Sequence, residues 1–344
     1  GSFTAEDVLD GGIYGNYILV DGTTVNLTNN DGFIDLNGSL TFNGGGTMNI
    51  YGGTSDSWWS YDGDVSVTMD AGVLDFHDRG IYLYDGSHSI TTDISGGTIR
   101  TAKGFYGDNT GFDPTGGIVH CYTASNGSLE LAPANNFHNL TIDKSSKSGS
   151  VNPNLETVTR EGELPQTGSK ANTMTVISDM TINANLTIVN GVLDTDVHDI
   201  DIGGNWKNLV GPDGFLENEN YVNFTGAGDA DINSGETFYT LALSKTNTGY
   251  DALEIKSGET ITVNNDLNLI DGGLEMNDNT TIDVAGSVTI MAGAGLNMYN
   301  DANLALFVGG NWDNYNTYYN ASGVGFHPGN GTVTFDGSGE QDLN

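Results

Sequence analysis

A degenerate repeat constrains this chain more than any other feature. Gly214–Asn233 reads GFLENENYVNFTGAGDADIN, and Gly325–Asn344 reads GFHPGNGTVTFDGSGEQDLN. An earlier version, Gly111–Glu130, reads GFDPTGGIVHCYTASNGSLE. The three openings, Gly111, Gly214 and Gly325, recur at a spacing of about 100 residues. Each begins Gly-Phe and carries a Val at the same place (Val119, Val222, Val333). Two residues on stands Cys121, Phe224 or Phe335, and eight further Leu129, Ile232 or Leu343. Internal self-similarity on this scale marks an array of stacked units, and it overrides a domain count based on length.

Shorter echoes fill the intervals. VSVTMDAGVLDF (Val65–Phe76), LTIVNGVLDT (Leu186–Thr195) and LNLIDGGLEM (Leu267–Met276) share one frame of strand, Gly turn and strand. IDIGGNW ends at Trp206 and LFVGGNW at Trp312, and FHNLTIDK (Phe137–Lys144) is matched by FYTLALSK (Phe238–Lys245). Apolar residues alternate with polar ones, and Gly, Asn or Asp breaks each run, which is the signal of short strands. Glycine numbers 50 of 344 against a usual share of roughly 7%, while only 6 prolines are present, so the glycines serve turns. A step of roughly 18–25 residues cannot hide its apolar side alone; a neighbour above and below completes it. The expected fold is all-β: a right-handed parallel β-helix (β-solenoid), elongated, with loop insertions, the hand following the crossover rule. Leu186, Ile188, Leu267 and Leu269 are expected in inward ladders, with some 14–16 turns about 4.8 Å apart.

Residues 1–64 read as N-terminal turns with a short turn or cap at Thr4–Asp10 and an aromatic loop, SDSWWSYDGD, at Ser55–Asp64. Residues 65–344 read as the array proper, one continuous solenoid. Lys144–Asn172 departs from the pattern and reads as an insertion projecting from one face. The last copy stops at Asn344, where a further FYTL-like step would begin, so the chain reads as a piece of a longer array or as an end that stacks on another molecule.

The net charge is −35, from 45 acidic and 10 basic residues. Nucleic-acid phosphate and anionic membrane surfaces are disfavoured as partners. No apolar run reaches the roughly 18 residues of a spanning helix, so no membrane insertion is expected. The acidic residues read first as a solvated surface, and second as turns that hold Ca²⁺ as the candidate cofactor. The sharpest cluster is DTDVHDID, with Asp194, Asp196, Asp199 and Asp201. Alternation puts Asp199 and Asp201 on one side and Ile200 and Ile202 on the other, which favours a solvated outer face. The arginines, Arg79, Arg100 and Arg160, all precede this cluster. A Ca²⁺-dependent lyase would need such a base beside the cation. The six histidines show no metal-ligand spacing, and no nucleophile elbow, P-loop or CxxC occurs, so the chain is not expected to be an enzyme. Cys121 takes a position held by Phe in the other copies and reads as core. Trp58, Trp59 and Tyr61 read either as rings covering a strand edge or as a platform for sugars or a partner.

The order of NLTI, NGVLD, GGNW and GTVTFDGSG resembles that of large secreted repeat proteins of Bacteroidota and related bacteria. The resemblance covers residues 65–344 and is most specific at Gly203–Trp206, Gly309–Trp312 and Gly331–Gly339. It implies a right-handed parallel β-helix like that of pectate lyases and filamentous adhesins, in an extracellular or cell-surface stalk, adhesin or fibre without catalysis. The expected function is therefore a structural or adhesive β-helix that self-assembles end to end or laterally in a surface fibre, sheath or matrix. The alternative is a β-helix that binds or cleaves polysaccharide. A phage-type fibre segment, trimeric, is a third reading.

Overall fold

In the computed structural model the chain is built from short parallel strands, with essentially no helix, coiled into a β-solenoid of about 12 turns. The structure describes residues 2–6, 12–28, 34–51, 57–77, 79–84, 86–107, 109–145, 172–247, 249, 251–298, 302–316 and 324–344. The chain divides into two units, Gly1–Met180 with Ile188–Leu193, and Thr181–Thr187 with Asp194–Asn344. Most of the insertion, residues 146–171, lies outside the described residues.

In the first unit one face stacks seven strands in parallel register, from Ser2–Glu6 through Thr24–Thr28, Thr47–Tyr51, Val73–Phe76, Thr98–Thr101 and Ile118–Tyr122 to Asn139–Asp143. Of the turn or cap that the sequence reading placed at Thr4–Asp10, the part up to Glu6 belongs to the strand Ser2–Glu6, and residues 7–10 lie outside the described residues. A second face carries Ser57–Trp59, Ile81–Leu83, Phe105–Tyr106, Gly127–Leu129 and Thr173–Val176. The long strand Ile34–Asn43 feeds both this face and a third, which continues with Val65–Met69 and Ile90–Ile94.

The second unit repeats three strands per turn. Its first face runs from Trp206–Asn208 to Gly325–His327, its second includes Glu236–Phe238, Thr260–Val263, Thr281–Val284, Ala305–Val308 and Thr332–Phe335, and its third runs from Ile200–Ile202 to Trp312–Asn314. Turn length is uneven. The in-register partners Val222↔Leu241 lie much closer in sequence than Leu296↔Phe326 do. Turns longer than expected account for about 12 turns in place of 14–16.

The expected inward ladders are present: Leu186, Ile188, Val222, Leu267 and Leu269 are all fully buried. Cys121 is likewise enclosed, and burial pushes its thiol up to about 12, so it is a packing residue. In the last copy Phe335 and Leu343 are 41% and 63% exposed, because their strands have a neighbouring turn on one side only among the described residues.

The two GGNW copies show why the motif has these residues. Gly203 and Gly309 pass so close to the preceding turn that a Cβ would stand 2.1 Å from the Asn183 carbonyl oxygen and 2.4 Å from that of Ala285. Their N–H groups donate to Ile182 and Val284 of that turn. The Asn205 and Asn311 amides are received by the Asn185 and Ser287 side chains, and the Asn205 and Asn311 side chains accept the N–H of Asp231 and Asp342 on the following turn. Trp206 and Trp312 then turn inward onto Phe215 and Phe326, each with ring centroids 4.7 Å apart. One copy takes the corner from third to first face, the other the corner from second to third. The long repeat shifts in the same way: Val222–Ile232 turns one corner and Val333–Leu343 another. Related segments therefore occupy like corners but not the same corner, because each corner asks only for strand, close glycine and strand.

Lysines end the FHNLTIDK and FYTLALSK steps for a shared reason. Lys144 and Lys245 are fully buried. The Lys144 ammonium donates to the Ala102 and Tyr122 carbonyls, and that of Lys245 to those of Gly203 and Thr225. Each thus ties two earlier turns at a corner, and burial holds both below the usual lysine range.

Candidate functional site

On the second face of the first unit, strand alternation sends Ser57 and Trp59 inward and Trp58 outward. Ile81, Leu83 and Phe105 are inward too, so Tyr82 and Tyr106 share the outward side. Parallel register aligns the three, Trp58↔Tyr82↔Tyr106. Their ring centroids are 4.6 Å and 5.1 Å apart along this column. Tyr61 and Tyr84 add a second row, 4.7 Å apart and each 5.4 Å from Trp58. Tyr61 is 40% exposed and the other four rings are partly exposed. Asp35, aligned with Trp58, fixes the loop beside it: its buried carboxylate accepts the N–H groups of Tyr61 and Asp62 and the Asn37 amide. Burial raises the Asp35 pKa, opposed by these hydrogen bonds.

Of the three rings that the sequence reading put in a loop, either covering a strand edge or forming a platform, Trp58 and Tyr61 lie on the outward side, Trp58 within a strand. Trp59 does not: it is fully buried against Phe76 and Phe112, because Ser57–Trp59 is a strand and not a loop. Sequence reasoning missed Tyr82, Tyr84 and Tyr106. The signal was an aromatic recurring at equal intervals, Trp58, Tyr82 and Tyr106, each interval being one turn of the coil.

A polar cluster on the outward side of the first face was also missed. Asp75, Arg100 and His120 lie on successive turns. Arg100 donates to one Asp75 oxygen at 2.6 Å, and the Tyr122 hydroxyl to the other at 2.6 Å. The Arg100 guanidinium lies 4.2 Å above the Tyr122 ring. His77 stacks on Tyr51 at 4.1 Å and shares a hydrogen bond with Asn49. Burial, and next the Arg100 charge, push His120 down to about 4, so it is neutral. Both Asp75 oxygens are committed to neighbours within the sheet, so the cluster works as a strut across turns.

The Asp-rich stretch of the second unit is spread along such cross-turn bonds as well. Asp194 accepts the Asp196 N–H and the Asn218 amide, Asp199 the Tyr221 N–H, and Asp201 the Asn223 amide. Among the described residues no three His, Cys, Asp or Glu side chains come together as a cation site. Asparagine amides also cap carboxylates from the next turn, as in Asn297 on Glu275 and Asn344 on Asp313.

Comparison with protein-family models, curated proteins and solved structures finds no match. The likeness to secreted Bacteroidota repeats therefore rests on the motifs quoted above, of which the structure shows the parallel β-solenoid.

Proposed function

We propose that this chain is a non-catalytic, adhesive β-solenoid of the cell surface or extracellular space that holds a carbohydrate on the aromatic column of its first unit. The observation that carries this reading is the in-register, outward placement of Trp58, Tyr82 and Tyr106. Such rings cover the C–H face of a sugar, and a contiguous, partly exposed aromatic patch marks a contact surface. The charge of −35 favours dispersed copies and little sticking to polyanions, as suits a surface protein. The test is binding of the purified chain to a panel of immobilised polysaccharides. Binding that is lost in Trp58→Ala, with the fold retained, supports the reading; a folded wild-type chain that binds none of them removes it.

A second reading, lateral self-association, is favoured by one observation in the second unit. Ile270, Met291 and Tyr315 follow in-register residues of successive turns and are 41%, 44% and 60% exposed. Sedimentation across a concentration series tests it. Association weakened by Met291→Lys is the expected result, and a monomer at every concentration counts against it.

A further inference from the structure

Resting on the carbohydrate reading above, we infer that the ligand is an uncharged polysaccharide that lies across the turns, with successive sugars on Trp58, Tyr82 and Tyr106. The direction follows from the register. A glycan laid along one turn would meet two rings at most, Trp58 and then Tyr61, because Ser57 and Trp59, on either side of Trp58, are fully buried. A glycan laid across the strands meets a ring on every turn, at centroid steps of 4.6 Å and 5.1 Å. That step matches the spacing of neighbouring strands, about 4.8 Å, and it is the length scale of one pyranose in an extended chain. The second row, Tyr61 and Tyr84, widens the column on one side; the rings are inclined to one another, by 39° between Trp58 and Tyr82 and by 76° between Tyr82 and Tyr106, so each sugar meets its own ring and not one flat shelf.

The charge of the surroundings selects against acidic sugars. Asp35 is aligned with Trp58 at one end of the column, but it is buried and its oxygens are taken by Asn37, Tyr61 and Asp62, so the acceptors open to a ligand are the other carboxylates. Glu130 follows Leu129, the partner of Phe105, and so is aligned with Tyr106 at the other. Asp62 and Asp64 lie on the turn that carries Tyr61, and hydrogen bonds from Ser89 hold the Asp64 carboxyl below its usual range. Among the described residues the basic side chains nearby are Lys103, at the corner before Tyr106, Arg79, buried at the corner before Tyr82, and the His88 imidazole, 3.9 Å from Asp64. Carboxylates accept hydrogen bonds from sugar hydroxyls but repel uronate or sulfate groups.

The experiment measures affinity by Trp fluorescence for oligomers of one to six sugars (neutral glucan, mannan and N-acetylglucosamine series, with a uronate series alongside). Affinity for a neutral series is expected to rise to three sugars and then level, unchanged by added NaCl. Tyr106→Ala is expected to weaken the three-sugar ligand by about two- to tenfold, the worth of one aromatic contact, and to leave the single sugar unaffected. A single sugar that binds as tightly as three, or a uronate series that binds best and weakens with salt, overturns this inference while the carbohydrate reading stands. If no series binds, or if a folded Tyr82→Ala, Trp58→Ala double variant binds like wild type, the carbohydrate reading falls with it.

Discussion

At the scale of single residues, two buried ionisable side chains show how the coil uses its interior. Glu236 is 1% exposed and accepts hydrogen bonds from the Trp206 indole, the Asn208 amide and the Thr237 N–H. Burial, with a smaller push from Glu217, raises its pKa to about 8. The folded chain therefore keeps a proton that the unfolded chain gives up near pH 4.5. The stability tied to that proton is complete below pH 4.5 and is lost as pH rises through about 8. Glu236→Gln, which mimics the neutral acid, is expected to flatten the pH dependence of urea unfolding between pH 5 and pH 9 by on the order of a few kcal/mol; equal slopes in both proteins would refute it. Lys245 makes the converse case. Its ammonium is the donor for two carbonyls of earlier turns, so Lys245→Met leaves both without it and is expected to cost about 2–4 kcal/mol by chemical denaturation. An exposed lysine would cost almost nothing.

Corners, rather than strands, are the elements that carry the specificity. Gly309→Ala places a methyl 2.4 Å from the Ala285 carbonyl oxygen, a backbone atom that cannot step aside. The expected loss is about 1–3 kcal/mol, read as a fall in the unfolding midpoint, with Gly339→Ala, whose Cβ would meet nothing, as the neutral control. Much of this was legible in the sequence. Alternation marked Leu267 and Leu269 as inward, and the paired glycines marked corners. Ser57–Trp59 was not legible, because three residues amid polar ones carry too little alternation to separate a strand from a loop. The partners of Trp58 were hidden for another reason. Tyr82 and Tyr106 become its neighbours only once the local length of a turn is known. That length is not constant in this chain, as the short step Val222↔Leu241 and the long step Leu296↔Phe326 show. The tie of Arg100 and Tyr122 to Asp75 was hidden by the same uncertainty of phase.

For the molecule as a whole, charge and repetition set the terms. A chain of −35 softens the stacking of its acidic residues in two ways: asparagine amides donate to Asp194, Asp201, Glu275 and Asp313 from the next turn, and where Asp231, Glu254 and Glu275 do fall in register on successive turns, Lys256 pairs with the first two. Longer-range repulsion remains, and salt screens it. Unfolding temperatures are expected to rise from about 0.01 M to about 1 M NaCl, as the screening length falls from about 30 Å to about 3 Å; unchanged or falling values would show that the repulsion is already cancelled locally. The GGNW segment that turns from third to first face in one place and from second to third in another has a genetic corollary. A tandem copying error in such a gene need not span a whole circuit of the prism: a slip by one side still lands every duplicated bend on a bend, and the lengthened product can fold at once.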